Sequence, residues 1–329
     1  MKYVLKYLII AVVFFIYVPC HAQDARSLTQ QGIELADKQQ YADAIEKYNA
    51  ALKLEPNNTS ANYRMAFSLN ASGKRAEAIP YLQKVITSGA SPMMIASAYS
   101  LLGNIYDKSA QPTQAIDSYL KAIKTDSADY TLHYNLALAY FRARQYNDAE
   151  KSALTVLATN PKHTGSMRLY ALVTFHQNKR GPALLALCHF LSLEPKGASS
   201  TEAYGNLQSI LKGGALKIAA GEKSPVIDAS TRQLNQAITT AVNTVDKSKY
   251  TAPVTLLEKQ LSAVFIQLGN MASKQTANPA FFKNIAAEYY QLAQTDRMPA
   301  FANFISQSVD KNAAAWVKAH SSVGNELGE

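Results

Sequence analysis

Five alanines recur at near-equal intervals along this 329-residue chain: Ala44, Ala78, Ala115, Ala149 and Ala183, spaced by 34, 37, 34 and 34 residues. A second row of small residues runs twelve positions ahead of the first: Gly32, Ala66, Gly103, Ala137 and Ala171. A fixed period in this range confines a chain to a repeat architecture, in which each unit is one supersecondary element. No such unit buries its apolar face alone, so stacked neighbours must supply the core. An unrelated helical bundle has no reason to keep that register.

The first unit can be read residue by residue. Leu28, Gly32, Leu35, Ala44, Tyr48, Ala51 and Pro56 fall where the pattern W-x2-L-G-x2-Y…A-x3-F…P expects them. The second has Ala66, Leu69, Ala78 and Leu82, with three extra residues near Ser88–Pro92. The third has Tyr99, Leu102, Gly103, Tyr106, Ala115, Tyr119 and Ala122, the fourth Leu136, Ala137, Tyr140, Ala149 and Pro161, and the fifth Ala171, Ala183 and Pro195. Two turns nearly repeat outright, Gln40-Tyr41-Ala42-Asp43-Ala44 and Gln145-Tyr146-Asn147-Asp148-Ala149. Over about residues 25–197 the pattern resembles the tetratricopeptide repeat, a helix–turn–helix unit. That resemblance implies an all-α fold, a right-handed α-solenoid of five units. Small residues at Gly32, Ala44 and their equivalents let the two helices of a unit approach closely. Pro56, Pro161 and Pro195 are expected to end second helices, because proline cannot continue the hydrogen-bond ladder.

The N-terminus reads as an export signal. Lys2 and Lys6 precede an apolar run from Tyr7 to Val18, and Cys20-His21-Ala22 supplies small residues for cleavage after Ala22. The run is shorter than the ~17–25 residues of a spanning helix, which disfavours an uncleaved anchor. Pro19 stands where a lipid-attachment motif needs a small residue, which disfavours lipidation of Cys20. The Ala22-Gln23 junction is similar to that of exported proteins of the Bacteroidetes type. The expected location is therefore the periplasm or cell envelope, with an anchored or secreted form as the alternative, and no membrane span after cleavage. The expected organisation is signal peptide 1–22, repeats 23–197 and a helical C-terminal domain or extended cap at 198–329.

Without Lys2 and Lys6 the chain carries 31 basic and 24 acidic residues, a net +7. No basic run exceeds Lys179-Arg180, so no nucleic-acid partner is expected. Cys188 is the one cysteine left, which excludes an intramolecular disulfide, and its neighbours Leu184-Leu185-Ala186-Leu187 mark it as a small buried hydrophobe.

Beyond Ala198 the period fades. Ser199 and Glu202 suggest a capping box opening a helix through Leu211, stopped by Gly213-Gly214. Gly221–Pro225 reads as a loop. Helical spacing returns in Asp228–Val245 through Leu234, Ile238, Ala241 and Val242, and in Thr251–Met271 through Leu257, Leu261, Val264 and Phe265. Asn278-Pro279 suggests a helix with proline at its first position, lined by Phe281, Phe282, Ile285 and Tyr289. Shorter segments hold Phe301, Phe304 and Ile305, then Trp316 and Val317.

Catalytic and metal motifs are scarce. His133, His163, His176, His189 and His320 form no H-E-x-x-H pattern. His133 occupies the slot where the repeat family often has tryptophan and is expected to pack. Adjacent Cys188 and His189 diverge by about 100° on a helix. Phosphate-loop, dinucleotide and G-x-S-x-G motifs are missing. Neither enzyme activity nor a cofactor is expected.

In the tetratricopeptide family the first helix of each unit lines a concave face. The resemblance therefore places Tyr63, Phe67 and Asn70 of the second unit there, with Ser100, Asn104 and Asp107 of the third. The fourth contributes Tyr134, Leu138, Phe141 and Arg142, and the fifth Arg168, Leu172, Phe175 and His176. About half of the aromatics are expected to be exposed and the rest packed between units. Aromatic and arginine side chains are common anchors of binding surfaces. One subtype clamps a C-terminal carboxylate with a lysine and two asparagines. Thr29 and Ile33 stand at those places in the first unit, so that clamp is absent. The expected function is a non-enzymatic protein-interaction scaffold whose groove holds a protein or peptide segment, with the arginines attracting acidic residues. A glycan-binding protein, suggested by the many tyrosines, and an enzyme with its site in 198–329 are the alternatives. The oligomeric state is left open.

Overall fold

The computed structural model describes residues 24–126, 129–214, 225–272 and 279–320. The export segment to Ala22, Asn278 and most of the Gly221–Pro225 loop lie outside them. Contacts group the chain into two compact units, one to Ala139 and one from Tyr140.

The first unit holds α1 (residues 24–37), α2 (Tyr41–Leu54), α3 (Thr59–Ala71), α4 (Arg75–Thr87), α5 (Pro92–Lys108), α6 (Pro112–Thr125) and most of α7 (Tyr130–Arg142). Consecutive helices pack in antiparallel-pair order, α2 on α3, α3 on α4, α4 on α5 and α5 on α6. Ala44, Ala78 and Ala115 are fully buried, as the period demands, and Tyr48, Met65, Leu82 and Ile105 fill the space around them. The close approach is visible at Gly32 and Gly103, where an added Cβ would collide with the rings of Tyr48 and Tyr119. The 37-residue interval has a structural outcome. It lengthens α5 to 17 residues, against 13 for α3.

Every turn between the two helices of a repeat is built alike. Gln40, Lys74, Gln111, Gln145 and Lys179 each donate a backbone N–H to a carbonyl five residues back, of Leu35, Leu69, Tyr106, Tyr140 and Thr174 respectively. This is the 6→1 bond of a Schellman ending, which requires a left-handed residue just before it. Gln39, Gly73, Ala110, Arg144 and Asn178 take that conformation, with φ between 55° and 86°. Only one of them is glycine.

The second unit contains α8 (Tyr146–Thr159), α9 (Thr164–His176), α10 (Arg180–Leu193), α11 (Ala198–Leu211), α12 (Ala229–Asn243), α13 (Pro253–Ala272), α14 (Ala280–Leu292), α15 (Met298–Ser306) and α16 (Lys311–Ala319). Ala149 and Ala183 are fully buried here as well. Helix α10 is its hub. Gly181 through Cys188 are buried without interruption, because α9, α11, α12, α14 and α15 all pack on it. The apolar run Leu184–Leu187 is thus explained by burial on every side rather than on one stripe. Two local expectations are corrected. Ser199 and Glu202 form no capping box: Gly197, at φ 112°, occupies the N-cap of α11 without a side-chain cap, and the Ser200 hydroxyl donates to the Glu194 carbonyl at 2.7 Å. Pro279 is the N-cap of α14 rather than its first helical residue.

Candidate functional site

In the first unit, α3, α5, the start of α7 and the residues just before it enclose a groove of about 530 Å³. Its lining includes Tyr63, Phe67, Ser100 and Asn104, four residues that the repeat resemblance put on the concave face. Phe67 is 41% exposed and Tyr63 half-buried. Asn70 and Asp107 stand one helical turn further along α3 and α5, outside that lining, with Asn70 Nδ2 3.5 Å from Asn104 Oδ1. On α7 the lining residues are Leu132 and Asn135. Half-buried Tyr134 and Leu138 do not contribute, because α7 presents a different stripe to the groove than the repeat pattern assigned.

Sequence reasoning missed the other lining residues, and three of these give the groove much of its character. Met93, in the first turn of α5, is 70% exposed and lines the mouth. Asp126 and Asp129 flank the loop between α6 and α7. The available signal was the 37-residue interval, whose extra residues place Pro92-Met93 a turn beyond the usual start of a first helix.

The second unit holds the remaining expected residues. Phe141 makes an edge contact with His176, centroids 5.4 Å apart, and His176 stacks on Tyr146 at 4.9 Å and 13°. Burial, and then the nearby Arg144 charge, hold the His176 imidazole below its ordinary value. Leu172 is half-buried. Phe175 is 2% exposed, so its place in a binding face is corrected: it is core. Of the two arginines expected to attract anions, one already has a carboxylate partner. Arg168 donates to Glu202 of α11 at 2.7 Å, which neutralises its charge at an exposed pair contributing at most ~1 kcal/mol to stability. Arg142 is exposed.

The titratable groups elsewhere in this unit have structural settings. Glu150 and Glu258 are buried carboxylates, each held by its own lysine, Lys179 and Lys259. Cys188 is fully buried, and burial pushes its thiol far above the usual value. His163 caps α9, accepting the Ser166 N–H at 3.1 Å. His189 Nδ1 lies 4.0 Å from Glu288. Among the described residues no cluster of three or more His, Cys, Asp and Glu side chains is placed to hold a metal ion.

The family model described as the N-terminal TPR repeats region of Psidin matches residues 33–175. Residues 33–175 of this chain are a tetratricopeptide-repeat region. Human protein O-mannosyl-transferase TMTC3 is 27% identical over 153 residues, which is 45% of this chain and 16% of the human protein; the mouse protein matches likewise, at 27% over 152 residues. This chain therefore spans only about a sixth of the curated relatives it matches. Among solved structures, YrrB, a TPR protein with an unusual peptide-binding site, is 18% identical, with a TM-score of 0.49 over 55% of this chain and 92% of its own. MamA from Desulfovibrio magneticus RS-1 is 17% identical, with a TM-score of 0.46 over 56% and 96%.

Tetratricopeptide repeats are protein-interaction scaffolds that bind protein or peptide partners, and they are typically non-enzymatic. Among the described residues no helix is long and apolar enough to cross a membrane.

Proposed function

We propose that this chain is an exported interaction module of the cell envelope that holds a partner segment in the groove between α3, α5 and α7. The observation that carries this reading is the pairing of exposure with concavity. Among the described residues, Phe67 and Met93 are two of the few large apolar side chains left open to solvent, and both line one groove of about 530 Å³. Clustered exposed apolar surface of this kind marks binding sites. Ser97, Ser100, Asn104 and Asn135 intersperse hydrogen-bonding groups suited to a peptide backbone. The export part rests on Lys2, Lys6, the Tyr7–Val18 run and Ala22. The glycan alternative draws little support from the tyrosines, since Tyr48, Tyr119 and Tyr170 are buried in repeat packing.

The test compares wild type with a Phe67→Ser, Met93→Ser variant in affinity purification from the native organism, with mass spectrometry of what is retained. A specific partner present with wild type and lost with the variant, at unchanged melting temperature, is the expected result. Equal recovery by both proteins would place the binding surface elsewhere. Intact mass of the native protein tests export: a mature chain beginning at Gln23 is expected, and one retaining Lys2–Ala22 or bearing lipid on Cys20 would refute cleavage there.

A further inference from the structure

The groove's charge is opposite to that of the chain around it. The chain as a whole carries +9, yet both ionisable carboxylates on the lining, Asp126 and Asp129, are acidic and no lysine or arginine lines it. They line the same groove as Met93, which stands in the first turn of the lengthened α5. Asp129 is exposed, and one of its carboxylate oxygens accepts the Thr131 N–H at 2.8 Å as α7 begins. That bond fixes the carboxylate at the rim without burying its charge. A partner segment rich in acid would meet like charge at this end, whereas a cation would find charge complementarity beside an apolar wall.

Resting on the reading of the groove as a peptide site, we infer that the segment it holds is basic and apolar: a lysine or arginine at the Asp126–Asp129 rim, next to an aliphatic or aromatic side chain against Met93 and Phe67. Long basic side chains suit such a place because their methylene stems cover apolar surface while the charged head stays at the wet rim. The direction is the reverse of the acidic partner that Arg142 and Arg168 suggested from the repeat pattern alone.

The probe is a phage-displayed library of random peptides selected on the purified full chain, followed by fluorescence polarisation of the best synthetic peptides. Selected sequences are expected to be enriched in Lys or Arg adjacent to Leu, Met, Phe or Tyr. Their affinity is expected to fall on adding salt and to drop about threefold or more with Asp129→Asn, the loss of one partly exposed charge pair. Asparagine keeps an acceptor for the Thr131 N–H, so this variant removes charge and not the helix start, and an unchanged melting temperature checks that. Peptides that lose binding with Phe67→Ser and Met93→Ser but show no basic enrichment, or are indifferent to Asp129→Asn, would overturn the charge inference and leave the groove reading standing. Failure to select any peptide, or binding indifferent to Phe67→Ser and Met93→Ser, would overturn the groove reading itself.

Discussion

Gly103 on α5 lies flat against the ring of Tyr119 on α6, so close that a Cβ on Gly103 would sit 2.7 Å from Tyr119 Cε1. Gly32 and Tyr48 repeat the relationship two helix pairs earlier. In the repeat between them, the equivalent places hold Ala66 and Leu82, both buried in the same core. The two sites exchange volume: no side chain facing a ring, or a methyl with a smaller aliphatic neighbour. Gly103→Ala should therefore overpack the α5–α6 pair and cost about 1–3 kcal/mol. Adding Tyr119→Leu, which copies the Ala66–Leu82 solution, should recover much of that loss. Thermal melts of the single and double variants check this, and an unchanged melting temperature for Gly103→Ala would contradict it.

The left-handed turn residues offer a gain rather than a loss. Ala110 has φ 57° at the end of α5, a conformation costing an L-residue about 1–2 kcal/mol, while glycine there costs about 0.4–1 kcal/mol in unfolded-chain entropy. Ala110→Gly should thus stabilise by a net of about 0.5–1 kcal/mol, and Ala110→Val should destabilise. Chemical denaturation of the three proteins distinguishes them, and a less stable Ala110→Gly would show that this turn carries no strain.

Asn235 fastens a repeat turn from outside the repeats. Its Nδ2 donates to the Asn178 carbonyl at 2.7 Å and its Oδ1 accepts the Arg180 N–H at 3.0 Å. Asn178 is the left-handed residue of that turn, and Asn235 is 7% exposed. Asn235→Ala strands two backbone groups in a buried place, at about 1–3 kcal/mol for an unsatisfied group. Faster hydrogen exchange at the Arg180 amide, together with lowered stability, is the expected signature. Unaltered exchange there would mean that water replaces the asparagine without loss.

Acid should weaken the second unit through His176. Burial and Arg144 hold its imidazole below the ordinary 6.5, so in the window just under 6.5 the unfolded chain binds more protons than the folded one. Stability is then fully present above about 6.5 and falls as pH drops through the folded value. An NMR titration should place His176 below 6.5, and Arg144→Ala should move it upward. A midpoint at or above 6.5 would refute the assignment.

How far the sequence could be read differs from one residue to the next. Ala44, Ala115, Ala149 and Ala183 announced their burial, because a helix–helix contact repeated at fixed spacing leaves no room for anything larger. Tyr63, Phe67, Ser100 and Asn104 were placed on the groove by repeat position alone. Phe175 was assigned to the same face by the same rule and is core instead, since its exposure depends on how densely the second unit packs. Glu202 looked like half of a capping box and is instead the partner of Arg168, 34 residues earlier. Local pattern could not weigh a cap against a salt bridge to another helix.

The chain alone determined the repeat register, the helix pairs and the glycine and alanine contacts, because these follow from neighbours a few residues away and recur until they are unmistakable. Tertiary structure decided the rest. The three extra residues near Ser88–Pro92 read as an irregularity, and only the lengthened α5 beside the loop before α7 turned them into a groove mouth of Met93, Asp126 and Asp129. The closing of α11, α12, α14 and α15 around α10 likewise left no period to read. Which apolar stripe meets which partner there is settled by shape complementarity between segments distant in sequence, and that complementarity exists only once the chain has folded.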